Sequence, residues 1–280
     1  MPDIVLHLAV SALYGGLALH FWRTRWRSRA PRTAGMAGWE RAALIAPLVL
    51  HAWLLQLDLI APAQPRFGFG QALSVMLWLA VVIYWVESLF YNLDGMQPLV
   101  LPLAAIAVPL PALFPGIAVT HSASIEFRLH LILGMAAYSV FTIAMLHALL
   151  MALAERSLHK MRKSPGGEGP LSGPLAGLPP LLTLERLLFR LIALAFCLLT
   201  LTLATGLVFS ESLFGRALRF DHKTLFALLS WLTFAILLIG RYAYGWRGRT
   251  AVRFTLLGFV MLLLAYVGSR FVLEVILRRV

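Results

Sequence analysis

Histidine is the residue type in this chain best suited to chemistry, and there are eight of them. His121, His130 and His222 stand in or beside short polar stretches that lead into long apolar runs. A neutral imidazole nitrogen is a good metal ligand. Two imidazoles from different segments suit the opposite faces of a haem iron. Three close together would suit zinc, but zinc wants a tight tetrahedral cluster, and no HxxxH or HExxH spacing is present. A plain hydrogen bond in polar surroundings is the competing use of each. Around a haem, Trp231, Phe220, Phe226 and Tyr138 could line an apolar slot, and Arg128, Arg216 or Arg219 could pair with propionates.

Other chemistry is sparse. The single cysteine, Cys197, excludes an internal disulfide, a CxxC redox pair and covalent c-type haem attachment, and is expected to be a buried, inert thiol. A Ser-His-Asp constellation, a phosphate-cradling glycine loop and paired carboxylates within one apolar run are absent, so no hydrolase chemistry is expected and an enzyme is not indicated. His51 and Asp58 lie inside an apolar run, seven positions apart and so near one helix face. Ionisable groups at such depth face a cavity or a partner. For His51 the two readings are a buried hydrogen bond and a ligand or proton-relay role. Glu87 is expected to snorkel to the surface.

The elements that must position these residues follow from composition. Apolar residues make up 60% of the 280 and charged residues only 13%, against about 45–50% and 25% in soluble domains. The apolar residues fall in runs near twenty long, enough to span a bilayer as helices. The chain reads as an all-α, polytopic membrane protein with eight transmembrane helices in one bundle, a single integral membrane domain over 1–280. The spans are about 3–22, 41–60, 69–90, 97–114, 129–153, 184–209, 224–242 and 254–277, with a flexible cytoplasmic linker at 155–183 and Thr183 capping the helix after it. Pro98, Pro102, Pro109 and Pro111 should kink or break the fourth span. The first run lacks a basic n-region and reads as a span.

The net charge of +12 is no argument for nucleic acid, because the basic residues gather between apolar runs. Most of the 24 Lys and Arg fall after spans one, five and seven, which places both termini outside the cytoplasm. His121, His130 and His222 then share the extracytoplasmic face. His147 lies 17 residues beyond His130, about 25 Å deeper.

Two stretches add a resemblance. His130-Leu-Ile-Leu-Gly-Met-Ala-Ala-Tyr138 resembles the histidine-led helix of CcsA-type cytochrome c assembly proteins. Asp221-His222-Lys223-Thr224, Trp231 and Gly245-Trp246-Arg247-Gly248 resemble the segment that follows their tryptophan-rich haem loop. Leu257-Gly258-Phe259, Ala265-Tyr266-Val267-Gly268-Ser269 and Leu50-His51-Ala52 extend the likeness over most of the chain, closest to the YpjD-like inner-membrane branch. Their tryptophan-rich loop is reduced here to Arg219–Phe226, and Ile239 stands where a membrane histidine is expected. The resemblance implies a multi-pass protein of the bacterial inner membrane that handles haem, b-type and noncovalent, at its extracytoplasmic face. It would act as an accessory or chaperone, with other cytochrome c maturation proteins or apocytochrome as partners. On this reading His130 ligates the iron where the family has its first external histidine, and His222 stands in for a family ligand that this chain lacks, with His121, His51, Trp231 and Arg128 about the cofactor. A permease component for a small solute or divalent metal ion is the alternative.

Overall fold

The computed structural model describes residues 2–27, 35–59, 66–119, 124–163, 179–214 and 221–277. Of these, the side chains of 2–3, 157–163 and 210–214 are not described. The chain is an all-α polytopic membrane protein. Hydrocarbon offers no partner for a peptide group, so an apolar run of this length satisfies its backbone by coiling. The long helices are α1 (Pro2–Phe21), α2 (Gly38–Leu59) and α3 (Phe69–Phe90). A shorter pair follows, α4 (Gln97–Ala107) and α5 (Leu110–Leu113), and then α6 (Ile125–Lys163), α7 (Leu181–Phe214), α8 (His222–Tyr244) and α9 (Arg249–Leu263). α1 and α9 each continue in π-helical turns, to Trp26 and to Ile276.

Among the described residues, seven helices are long and apolar enough to cross a membrane, where eight were expected. The difference is the fourth span. As its prolines imply, it breaks, at Val108–Pro109, into a shorter apolar segment over Gln97–Leu113. A two-residue antiparallel ladder, Arg66–Phe67 with Ile117–Ala118, ties the segment before α3 to the segment after α5. The linker is trimmed from both ends, since α6 runs on to Lys163 and α7 starts at Leu181. Thr183 therefore lies in the first turn of α7, its N–H bonded to Pro180 O at 2.8 Å, and is not the cap. Residues 164–178, the glycine- and proline-rich part, fall outside the described residues.

The helices pack as two rings of four that share one seam. α1 lies against α2 and α4, and α3 against α2 and α4. The second ring runs α6–α7–α8–α9 and back to α6. α3 against α6 is the main seam between the rings. In the second ring α6 and α8 are diagonal, and they meet at its centre through a Phe141–Phe234 stack with centroids 4.0 Å apart. Gly258 on α9 lets Phe234 in: a Cβ there would stand 2.7 Å from the Phe234 ring. The turn from α8 to α9 needs Gly245 at φ 65°, a left-handed cap, with Trp246 N–H bonded back to Gly240 O. Trp246 packs on Phe254 and so serves the turn.

The first ring is held by polar rungs between antiparallel α1 and α2. His7 pairs with Asp58 at 3.2 Å, Tyr14 lies edge-on to His51, and His20 reaches Glu40 at 2.9 Å. Glu40, 2% exposed, also accepts from Arg25 Nη2 at 2.6 Å and from Ala37 N–H at 2.8 Å. Arg25, drawn inward by the π turn at the end of α1, lies 3.3 Å from Asp94, which takes Gly35 N–H at 2.9 Å.

Three outcomes follow from this packing. Gly258→Val should lower stability by about 1–3 kcal/mol by driving Phe234 off Phe141. Gly15→Ala, where a Cβ meets nothing within 4 Å, should be neutral or mildly stabilising. Glu40→Gln should cost about 1–3 kcal/mol, because buried Arg25 loses one of its two carboxylates and keeps Asp94. Thermal unfolding in one detergent, with all variants side by side, measures each.

Candidate functional site

His130 occupies the second turn of α6, where that helix lies along α7. The two come close because Gly206 presents no side chain: a Cβ there would stand 3.1 Å from His130 Cε1. His130 Nδ1 lies 3.1 Å from Thr205 Oγ1. The single hydroxyl hydrogen of Thr205 is directed to main-chain oxygens of its own helix, Leu201 O at 2.9 Å and Thr202 O at 3.0 Å. With that hydrogen on the main chain, Thr205 Oγ1 is left to accept and His130 Nδ1 to donate. That choice leaves the lone pair on Nε2, which makes no hydrogen bond within the described residues. A ring nitrogen bared in this way, with its partner nitrogen anchored, is how proteins present histidine to a metal.

His222 opens α8. Asp221 is the N-cap, accepting from Thr224 N–H at 2.9 Å and from its hydroxyl at 3.0 Å. Burial pushes the Asp221 carboxyl up, but the Thr224 hydrogen bonds and the Lys223 charge outweigh it and hold it below the usual carboxylate range. Asp221 is thus spent on the helix end, while His222 is exposed and makes no hydrogen bond within the described residues. His130 precedes Phe141 by 11 residues and His222 precedes Phe234 by 12. With the two phenylalanines stacked, both histidines stand about 16–18 Å from the same point, at the same end of the second ring. They share an end and a level, on diagonal helices, with no contact between them.

The remaining expected site residues divide. Trp231 stacks on Phe196 and donates Nε1–H to Thr200 Oγ1 at 2.9 Å, so it faces α7 and does not line a slot between the histidines. Tyr138 donates its hydroxyl to Leu262 O at 2.6 Å, just before α9 passes into its π-helical turn at Leu264. Arg128 is exposed, with its main-chain N–H on Ser124 O. His121, Arg216, Arg219 and Phe220 lie outside the described residues. His51 belongs to the first ring, fully buried, with Nε2 2.9 Å from Ser74 Oγ; its Nδ1 and the Tyr14 hydroxyl have no partner among the described residues. It stands apart from His130. Cys197 is exposed on the outside of α7, contrary to the buried thiol expected.

Two groupings went unread in the sequence. His7 and Tyr14 are seven apart, as are His51 and Asp58, and antiparallel helices bring matching spacings together as rungs. Glu87 does not snorkel: it lies 3.7 Å from His147 across the α3–α6 seam. Its signal was weaker, a lone acid and a lone histidine on different apolar runs. Among the described residues, no three His, Cys, Asp or Glu side chains converge to hold a bare metal ion.

Inner membrane protein YpjD of Escherichia coli K12 is 31% identical over 249 residues, covering 85% of this chain and 89% of that one. An uncharacterized 28.8 kDa protein of Azospirillum brasilense is 30% identical over 219 residues, 73% of this chain and 76% of the other. Cytochrome c biogenesis protein CcsA of Prochlorococcus marinus is 38% identical over a shorter stretch of 88 residues, 31% of this chain and 28% of that one. No solved structure matches significantly. The family described as cytochrome C assembly protein matches residues 42–277, from the second turn of α2 to the end of the last π turn and so across both histidine-bearing helices, α6 and α8; the chain belongs to that family.

Proposed function

We propose that this chain binds haem at the open end of the α6–α9 ring and acts as an accessory or chaperone of cytochrome c assembly. The observation that carries the reading is the hydrogen bond from His130 Nδ1 to Thr205, which presents Nε2 as a fixed, unprotonated ligand. When bound, haem would supply an iron that imidazole nitrogens can ligate. His130 would hold it through Nε2, with Thr205 anchoring the ring and Gly206 giving it room. His222, at the same level and uncommitted, would be the second residue to hold it. With Cys197 the single cysteine, attachment is noncovalent and the haem b-type.

Charge supports an extracytoplasmic site. The opposite end of the second ring carries Arg241, Arg247, Arg249 and Arg253, partly answered by Glu185 and Glu155. The first ring turns Arg23, Arg25 and Arg27 to the same side. Positive residues favour the cytoplasm, so the histidine end and both termini face outward. By its likeness to YpjD, the chain resides in the bacterial inner membrane, and its partners are haem, other cytochrome c maturation proteins or apocytochrome.

Protein expressed with ample haem and purified in detergent should show a Soret band. His130→Ala should abolish most of it, and His222→Ala should change the coordination of what remains. Thr205→Val removes the acceptor that sets the His130 tautomer and should weaken haem binding about 10- to 100-fold while the fold persists. A haem-free wild-type protein, with a deletion phenotype that answers to a divalent metal and ignores haem supply, would favour the permease alternative.

A further inference from the structure

The α3–α6 seam holds a second imidazole, unconnected with the site above. His147 is 0% exposed and the Glu87 side chain 13%. His147 Nδ1 lies 3.0 Å from Ile143 O, one turn back on α6. A carbonyl oxygen has no hydrogen to give, so Nδ1 is the donor and its hydrogen is spent. Nε2 is then a bare lone pair, aimed at Glu87 Oε2 from 3.7 Å. Both atoms are buried, and neither has a hydrogen-bond partner among the described residues. An ionised Glu87 facing a neutral His147 sets two acceptors against each other and leaves a net negative charge buried in the seam. Each is costly: an unmet buried acceptor by about 1–3 kcal/mol and an uncompensated buried charge by more. One added proton cures both, because the pair becomes neutral overall and gains a donor.

No neighbouring charge among the described residues does this instead. Glu40 and Asp94 answer Arg25, Glu185 answers Arg241 and Glu155 answers Arg249. Arg41 on α2 keeps its Nε without a hydrogen bond, and no ion pair joins it to Glu87 or His147. α4 has no titratable residue.

We infer that Glu87 and His147 form a buried proton-binding site, holding one proton between them at neutral pH in the seam that joins the two helix rings. The step moves no other atom. A proton on Glu87 Oε2 is shared with His147 Nε2, as carboxylic acid with imidazole or as carboxylate with imidazolium, and it enters from or leaves to water. When it leaves, the two lone pairs confront one another, so the proton state of the pair sets how tightly α3 and α6 can close. This inference does not depend on haem binding.

Infrared spectra of the purified full chain between about pH 5 and pH 9, wild type against Glu87→Gln, test it directly. The amide introduced by that substitution would offer an N–H to His147 Nε2 and so replace the proton without disturbing the packing. The expected result is a protonated-carboxyl or imidazolium signal present at neutral pH in the wild type, lost together on raising the pH, and absent from Glu87→Gln. Stability gives an independent readout. Above neutral pH the folded chain holds one proton more than the unfolded chain, so its folding equilibrium should fall as pH rises, by up to about tenfold per pH unit relative to Glu87→Gln. An ionised carboxylate with a neutral imidazole at neutral pH, which a water bridging the two acceptors would produce, overturns the proposal. So does a stability profile parallel to that of Glu87→Gln. His147→Phe, which leaves Glu87 without its acceptor, should shift the carboxyl signal, and an unshifted signal also counts against the pair.

Discussion

Where water is excluded, each ring nitrogen of a histidine must find its hydrogen bond inside the protein or be left to something else. That requirement organises this molecule. His7 settles on Asp58, His20 on Glu40, His51 on Ser74, His130 on Thr205 and His147 on its own helix. In the last two, the partner decides which nitrogen carries the hydrogen, and so which nitrogen is offered outward. The chemistry of the chain is written less in which residues are histidine than in which carbonyls and hydroxyls lie beside them.

The polar rungs of the first ring are poor candidates for sheer stability. A buried ion pair recovers little more than it costs to desolvate, and apolar side chains of similar volume often do as well. Their contribution is register. Between two apolar helices a slide of one turn changes little, but here it would strand Glu40, Arg25 and His7 at once. α1 lies before the stretch matched by the family, residues 42–277, so the His7 and Tyr14 rungs are half outside it and the His20–Glu40 rung wholly so.

Much of the architecture was legible. Run lengths give the long helices, the prolines give the break at Val108–Pro109, and the stretches around His130 and Asp221 carry the family. Pairing across helices was not. Trp231 reads as well for a cofactor slot as for Phe196 and Thr200, because a helix face says nothing about which neighbour covers it. Cys197 and Glu87 were misplaced for the same reason, one expected buried and one expected at the surface. The Thr205 bond to His130 spans 75 positions, and its meaning depends on where one hydroxyl hydrogen points. The seven-residue spacings on α1 and α2 were visible singly, but their match appears only once the helices are known to run antiparallel side by side.

The stack of Phe141 on Phe234 has one more implication. It lies about 16 Å below His130 and joins the two diagonal helices, so the middle of the second ring is plugged. On the haem-binding reading, cargo held at the histidine end would have this stack beneath it, and would come and go by that end or sideways between helices.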